Sequence, residues 1–181
     1  MKKIPLGTTD ITLSRMGLGT WAIGGGPAWN GDLDQQICID TILEAHRCGI
    51  NLIDTAPGYN FGNSEVIVGQ ALKKLPREQV VVETKCGIVW ERKGSLFNKV
   101  GDRQLYKNLS PESIREEVEA SLQRLGIDYI DIYMTHWQSV PPFFTPIAET
   151  VAVLNALKAE GKIRAIGAAN VDADHIREYL Q

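Results

Sequence analysis

The chain has 181 residues, 44% of them hydrophobic and 23% charged, with a formal net charge of -3. That length allows one domain with a real core, the composition excludes a mainly disordered chain, and the charge excludes the basic footprint of a nucleic-acid partner. Cys38, Cys48 and Cys86 form no CxxC pair, which argues against a disulfide framework or zinc site and fits a reducing, cytoplasmic compartment. The opening MKKIPLGTTD lacks an apolar segment after its lysines, and no apolar run reaches the roughly 18 residues of a membrane span. Neither secretion nor a membrane partner is expected.

In chain order, Lys3 to Leu6 and Ile11 to Leu13 flank Gly7, Thr8, Thr9 and Asp10 and predict a hairpin acting as a lid ahead of the main fold. Met16 to Trp21 predicts a first strand, and Ala22 to Asp34 a loop holding Gly24, Gly25, Gly26, Pro27 and Gly31. Those glycines lack the GxGxxG or GKT spacing of a nucleotide motif, so phosphate cradling and plain turn formation both remain open. From Asp34 to Cys48 the apolar Cys38, Ile42 and Ala45 recur at helical spacing, with Gly49 as the stop. Leu52 and Ile53 then lead to Asp54, Pro57 and Gly58 turn the chain to Tyr59, and Ser64 opens an amphipathic helix that Pro76 ends. Val80, Val81 and Val82 with Glu83, Thr84 and Lys85 read as a strand buried in a parallel sheet.

Cys86 to Leu109 predicts a long connection of the kind that covers active sites, with Trp90, Phe97 and Tyr106 as candidate pocket rings. The next helix is well marked: Ser110 as N-cap, Pro111 in the first turn, Ile114, Val118, Leu122 and Leu125 along one face, then Gly126. Tyr129 to Thr135 is a fourth strand leading to His136 and Trp137. Thr145 and Pro146 open a helix closed by Gly161, Arg164 to Ala169 is a fifth strand ending at Asn170, and Asp172 caps a last helix carrying Ile176 and Leu180. Five βα units without an internal break predict a single α/β domain over residues 1–181.

Each strand delivers a polar group at its C-terminal end, where parallel α/β proteins bind ligands: Asp54, Lys85, His136 and Asn170, with Tyr59 just beyond. Singly each has a plain use, as turn former, surface lysine, core histidine or loop residue. Together they match carbonyl reduction. A lysine beside a tyrosine stabilises the phenolate, a carboxylate holds that lysine charged, and a histidine can orient the carbonyl oxygen. Metal ligation is disfavoured, because His136 has no helical His partner and no His/Cys cluster exists.

The phrases MGLGTWAIGG, NLIDTAPGYNFGNSEVIVGQAL, VVETKCG, GIDYIDIYMTHWQ and GKIRAIGAAN resemble, in order, the block motifs of the aldo-keto reductases. The likeness runs through the whole chain, which is similar to the bacterial methylglyoxal-reducing members. The resemblance implies a partial (β/α)8 TIM barrel of about five βα units behind an N-terminal hairpin. It also implies NADH or NADPH bound without a Rossmann domain, and reduction of small aldehydes or ketones. By position it makes Tyr59 the proton donor, Lys85 and Asp54 its tuning pair, and His136 the carbonyl-orienting group. Thr20, Trp21 and Asn170 fall near the nicotinamide, and Trp21, Trp90 and Trp137 become pocket walls. Ala169 departs from the serine common in the family.

Family members continue through strands six, seven and eight, which carry the aromatic under the nicotinamide and the basic phosphate loop. The expectation for these 181 residues is therefore weakened cofactor binding and little turnover, with open edges at the strands containing Gly17 and Ile166. Such edges can recruit a second copy into a homodimer. A partial-barrel scaffold that self-associates without catalysis is the competing expectation.

Overall fold

The structure, a computed structural model, describes residues 1–31 and 33–181; Asp32, inside the predicted glycine-rich loop, lies outside the described residues. A short antiparallel hairpin, β1 (Lys3–Pro5) and β2 (Thr12–Ser14), comes first. The main sheet starts with β3 (Gly17–Gly19), returns through α1 (Gln35–Arg47) to β4 (Leu52–Asp54), and then through α2 (Asn63–Leu72) to β5 (Val81–Cys86). A small antiparallel sheet of β6 (Ile88–Val89), β7 (Ser95–Val100) and β8 (Arg103–Lys107) interrupts the next crossover. After it, α3 (Pro111–Leu125) leads to β9 (Ile130–His136), α4 (Ile147–Ala159) leads to β10 (Ile163–Ala169), and α5 (Ala173–Tyr179) follows.

The main sheet has the order β10-β9-β5-β4-β3, every pair parallel. A sequential order winds one way, without the reversal of a doubly wound sheet, which is the winding of a (β/α) barrel. Local chemistry sets the helices. Asp34 accepts from the Ile37 amide and Ser110 from the Ser113 amide, satisfying N-terminal donors of α1 and α3. Gly126 at φ 65 takes the left-handed C-terminal position after α3.

Two apolar layers result. Between sheet and helices lie Ile42, Ile53, Val68, Val82, Ile114 and Leu154, among others. On the opposite, barrel-lining face, Ile11 packs with Val81, Ile132 and Ala165. Ile11 comes from the turn of the β1–β2 hairpin and meets residues near the starts of β5, β9 and β10. The hairpin is a lid, and the end it seals is the one opposite the polar strand ends. Asp131, also at a strand start, accepts from the Val82 amide, Arg77 and Arg164, and Arg164 reaches on to Asp10 at 3.1 Å, tying the hairpin down.

Two expectations need correction. Ser64 does not open α2: Gly62, at φ 87, occupies the N-cap, and Ser64 is buried in the first turn with its hydroxyl bonded to Thr20 and Thr55. The Cys86 to Leu109 segment is not a loop, since β7 and β8 pair around the turn at Gly101 (φ 60) and β8 pairs with β6. At Gly69 the backbones of α2 and α3 run close together. A Cβ there would stand 2.7 Å from the carbonyl oxygens of Arg124 and Leu125, and backbone cannot give way as a flexible side chain can. Gly69→Ala is expected to destabilise the fold by about 1–3 kcal/mol, read as a lower denaturation midpoint.

Candidate active site

The sheet brings Asp54, Lys85 and His136 together because β4, β5 and β9 are neighbours with Asp54 opposite Glu83 and Lys85 opposite Met134. Tyr59 joins them from the loop after β4. That loop is held by its neighbours: the Asn60 and Asn63 amides each donate to the Gly24 carbonyl at 2.9 Å. A Cβ on Gly24 would come within 3.1 Å of the Ser64 Cβ and 3.2 Å of the Tyr59 carbonyl oxygen. Close approach of the two loops is therefore one reason for glycine at this point of the first loop.

Lys85 is 5% exposed, and its ammonium makes three bonds. It donates to Asp54 Oδ1, to the Thr55 carbonyl at 2.9 Å and to the Tyr59 hydroxyl at 3.2 Å. Burial pulls the lysine's pKa down, but the charges of Asp54 and Tyr59 and its bonds to both outweigh that and leave it raised. An ammonium fixed at three points stays charged and aimed at the phenol.

His136 stands edge-on to Tyr59 with ring centroids 6.0 Å apart. Burial first, and then the Lys85 charge, push its pKa down to about 4. The imidazole is therefore neutral across the physiological range and keeps one N–H donor. Its Nδ1 is buried without a hydrogen-bond partner among the described residues.

These groups open on a cleft lined by Trp21, Tyr59, Phe97, His136, Trp137 and Asn170, among others. Trp137 and Asn170 both sit at positive φ, 76 and 58, immediately after β9 and β10. Asparagine tolerates that region well. For tryptophan it stores strain, of the kind that gathers at functional sites. Lys107, at the end of β8, lies 5.3 Å from the Phe97 ring and 5.1 Å from the Trp137 ring, and holds the hairpin against the strand end.

Three expected site residues fall elsewhere. Thr20 is fully buried, its hydroxyl bonded to the Asp54 carbonyl and Ser64, so it braces the site from below. Trp90 packs edge-on against Phe61 at 5.7 Å, outside the cleft. Tyr106 turns its hydroxyl to Gln104. The sequence reading also missed a buried polar layer behind β5: Glu65 is fully buried, accepting from Thr84 and from Arg124, both at 2.6 Å. Acidic residues inside amphipathic helices carry no sequence mark of burial.

Glu117, on α3, belongs to that layer and fixes the exit of β5 by accepting from the Gly87 amide at 2.8 Å and from Ser113 at 3.0 Å. Burial pushes its pKa up to about 7 from 4.5. The folded state thus holds this proton more tightly than the unfolded chain. The stability it confers is full below about pH 4.5 and is lost as pH rises through 7. Glu117→Gln, which keeps an acceptor for Gly87, is expected to flatten stability over that window. Urea unfolding of both proteins at stepped pH checks this, and identical slopes would contradict it.

Among known proteins, the aldo/keto reductase family model matches residues 15–181. The NADH-specific methylglyoxal reductase of Escherichia coli (strain K12) is 98% identical over the whole chain, which covers 56% of that protein. An aldo-keto reductase of Bacillus halodurans in its holo form superposes with a TM-score of 0.82 at 35% identity, covering 99% of this chain and 54% of the other. The glycerol dehydrogenase of Gluconobacter oxydans gives 0.81 at 38%, covering 98% and 51%. The chain spans about half the length of these relatives, and its sheet is a partial barrel of their kind. A family model matched from residue 15 to the last residue, on a one-way parallel sheet with its polar groups at the strand ends, places this chain in the aldo/keto reductase family.

Proposed function

We propose that these residues carry the proton-delivery half of a carbonyl reductase acting on small aldehydes such as methylglyoxal, with Tyr59 as the proton donor. One observation carries the reading: the buried Lys85 ammonium bonds Asp54 and the Tyr59 hydroxyl at once. The lining of the cleft suits a nicotinamide, with Asn170 exposed at its rim and the Trp21 ring 6.2 Å from that of Tyr59. Asn170 would hold the carboxamide and Trp21 would flank the ring. A bound reduced dinucleotide supplies the hydride for the carbonyl carbon. Tyr59 holds the proton for the carbonyl oxygen, and Lys85 stabilises the phenolate left behind. His136, neutral, offers its N–H to that oxygen and fixes its position. Trp21 and Trp137 flank the cleft.

We propose NADH over NADPH, because the relative that is 98% identical is named NADH-specific. The three free cysteines support a reducing cytoplasm, and no helix among the described residues is long and apolar enough to cross a membrane. A polypeptide of these 181 residues alone is expected to bind NADH weakly, since among the described residues β3 and β10 have unpaired edges that leave the cleft open on two sides. The deciding measurement is NADH consumption with methylglyoxal, followed by near-ultraviolet absorbance, in a polypeptide of the relative's length carrying this sequence. Lys85→Met should abolish it. Unchanged turnover in that variant would overturn the reading.

The same two edges favour a second reading, in which copies of the chain pair edge to edge into a homodimer. Light scattering tests this, and a stable monomer at high concentration would sink it.

A further inference from the structure

Glu83 has no part in the proton-delivery set just described, yet it occupies the same face of the sheet. It lies two residues before Lys85 on β5, so both side chains point to the barrel-lining side. Strand register places it directly opposite Asp54 on β4. It is half-buried, while Val81, two residues earlier on the same face, belongs to the apolar floor with Ile11 and Ile132. On the other side β9 presents Ile132 opposite Glu83 and Met134 opposite Lys85, neither of which titrates. The charged groups facing Glu83 are therefore Asp54 and Lys85, with Tyr59 reached through Lys85. A carboxylate set beside Glu83 over an apolar floor disfavours the ionised form of Glu83.

We propose that Glu83 is a positioning residue for the proton-delivery set: as a carboxylic acid it donates a hydrogen bond to Asp54 and holds that carboxylate turned toward Lys85. The inference rests on the assignment of Tyr59 and Lys85 made above. Charge balance supports it. With Glu83 neutral, Asp54 and Lys85 cancel; with Glu83 ionised, the site carries an uncompensated negative charge beside the phenol. The direction of the Glu83 pKa agrees: burial raises it, the Asp54 carboxylate and a hydrogen bond to it raise it further, and Lys85 only partly offsets them. Lys85 engages only the Oδ1 of Asp54, which leaves Oδ2 for such a donor.

Carboxyl-carbon NMR of the 181-residue chain tests the inference without turnover. The Glu83 resonance is expected to titrate above the ordinary glutamate range, and Asp54→Asn should move its midpoint down. A Glu83 midpoint at the ordinary value, or one indifferent to Asp54→Asn, would overturn the proposal. In the longer polypeptide, Glu83→Ala should lower turnover by about threefold to tenfold, the worth of one such hydrogen bond, and Glu83→Gln, which still donates, should restore it. Equal loss in both variants would also overturn it. The two readings fail separately: unchanged turnover in Lys85→Met removes the function, while an uncoupled Glu83 titration removes only its positioning role.

Discussion

Tyr59→Phe is expected to slow carbonyl reduction by about 10²- to 10⁴-fold, the usual worth of a positioned general acid, with a far smaller change in KM. The hydroxyl's bond to Lys85 is lost, but the ring keeps its places beside Trp21 and His136, so the cleft and the fold persist. Lys85 retains Asp54 and the Thr55 carbonyl and stays charged. Single-turnover oxidation of NADH, compared with the unchanged near-ultraviolet circular dichroism of the variant, isolates the chemical step. A rate within a few-fold of the parent would remove Tyr59 from its role.

The largest expected loss of stability comes from the other end of the sheet. Asp131 has a side chain 1% exposed and accepts from the Val82 amide at 2.9 Å, from Arg77 at 2.6 Å and from Arg164. Asp131→Ala leaves a buried amide and the two arginines without their carboxylate. Breaking a buried ion pair from one side costs about 3–5 kcal/mol. The lower part of that range is expected here, because Arg77 and Arg164 are 22% and 34% exposed and can turn to water. Asp131→Asn, which still accepts from Val82, should lose less. Urea midpoints of the two variants give the comparison, and equal losses would place the cost elsewhere.

Much of the fold is legible in the sequence because each βα unit announces itself locally. Ser110 and Asp172 cap α3 and α5 as predicted, each accepting from an amide three residues on, and Asp34 does the same for α1. The polar strand ends could be read for the same reason, since strand direction alone decides which end a residue occupies. What escaped depends on partners distant in sequence. Glu65 and Glu117 look like exposed helix acids until Arg124, 59 residues from Glu65, and Gly87 are seen to meet them. The β7–β8 hairpin was hidden by its charged and polar residues, which a pattern of apolar alternation does not detect. Thr20 and Trp90 were placed in the cleft by motif position, whereas packing turns the first inward and sets the second behind Phe61.

The adjacency of β4, β5 and β9 at the middle of the sheet has a consequence for inheritance. Asp54, Tyr59, Lys85, Glu83 and His136 all lie on three consecutive strands or the loop after the first of them. Crossover at either outer strand would exchange the Trp21 or Asn170 side of the cleft while transmitting this block intact. The proposed proton-delivery set can thus be passed on, or grafted, as one contiguous cassette.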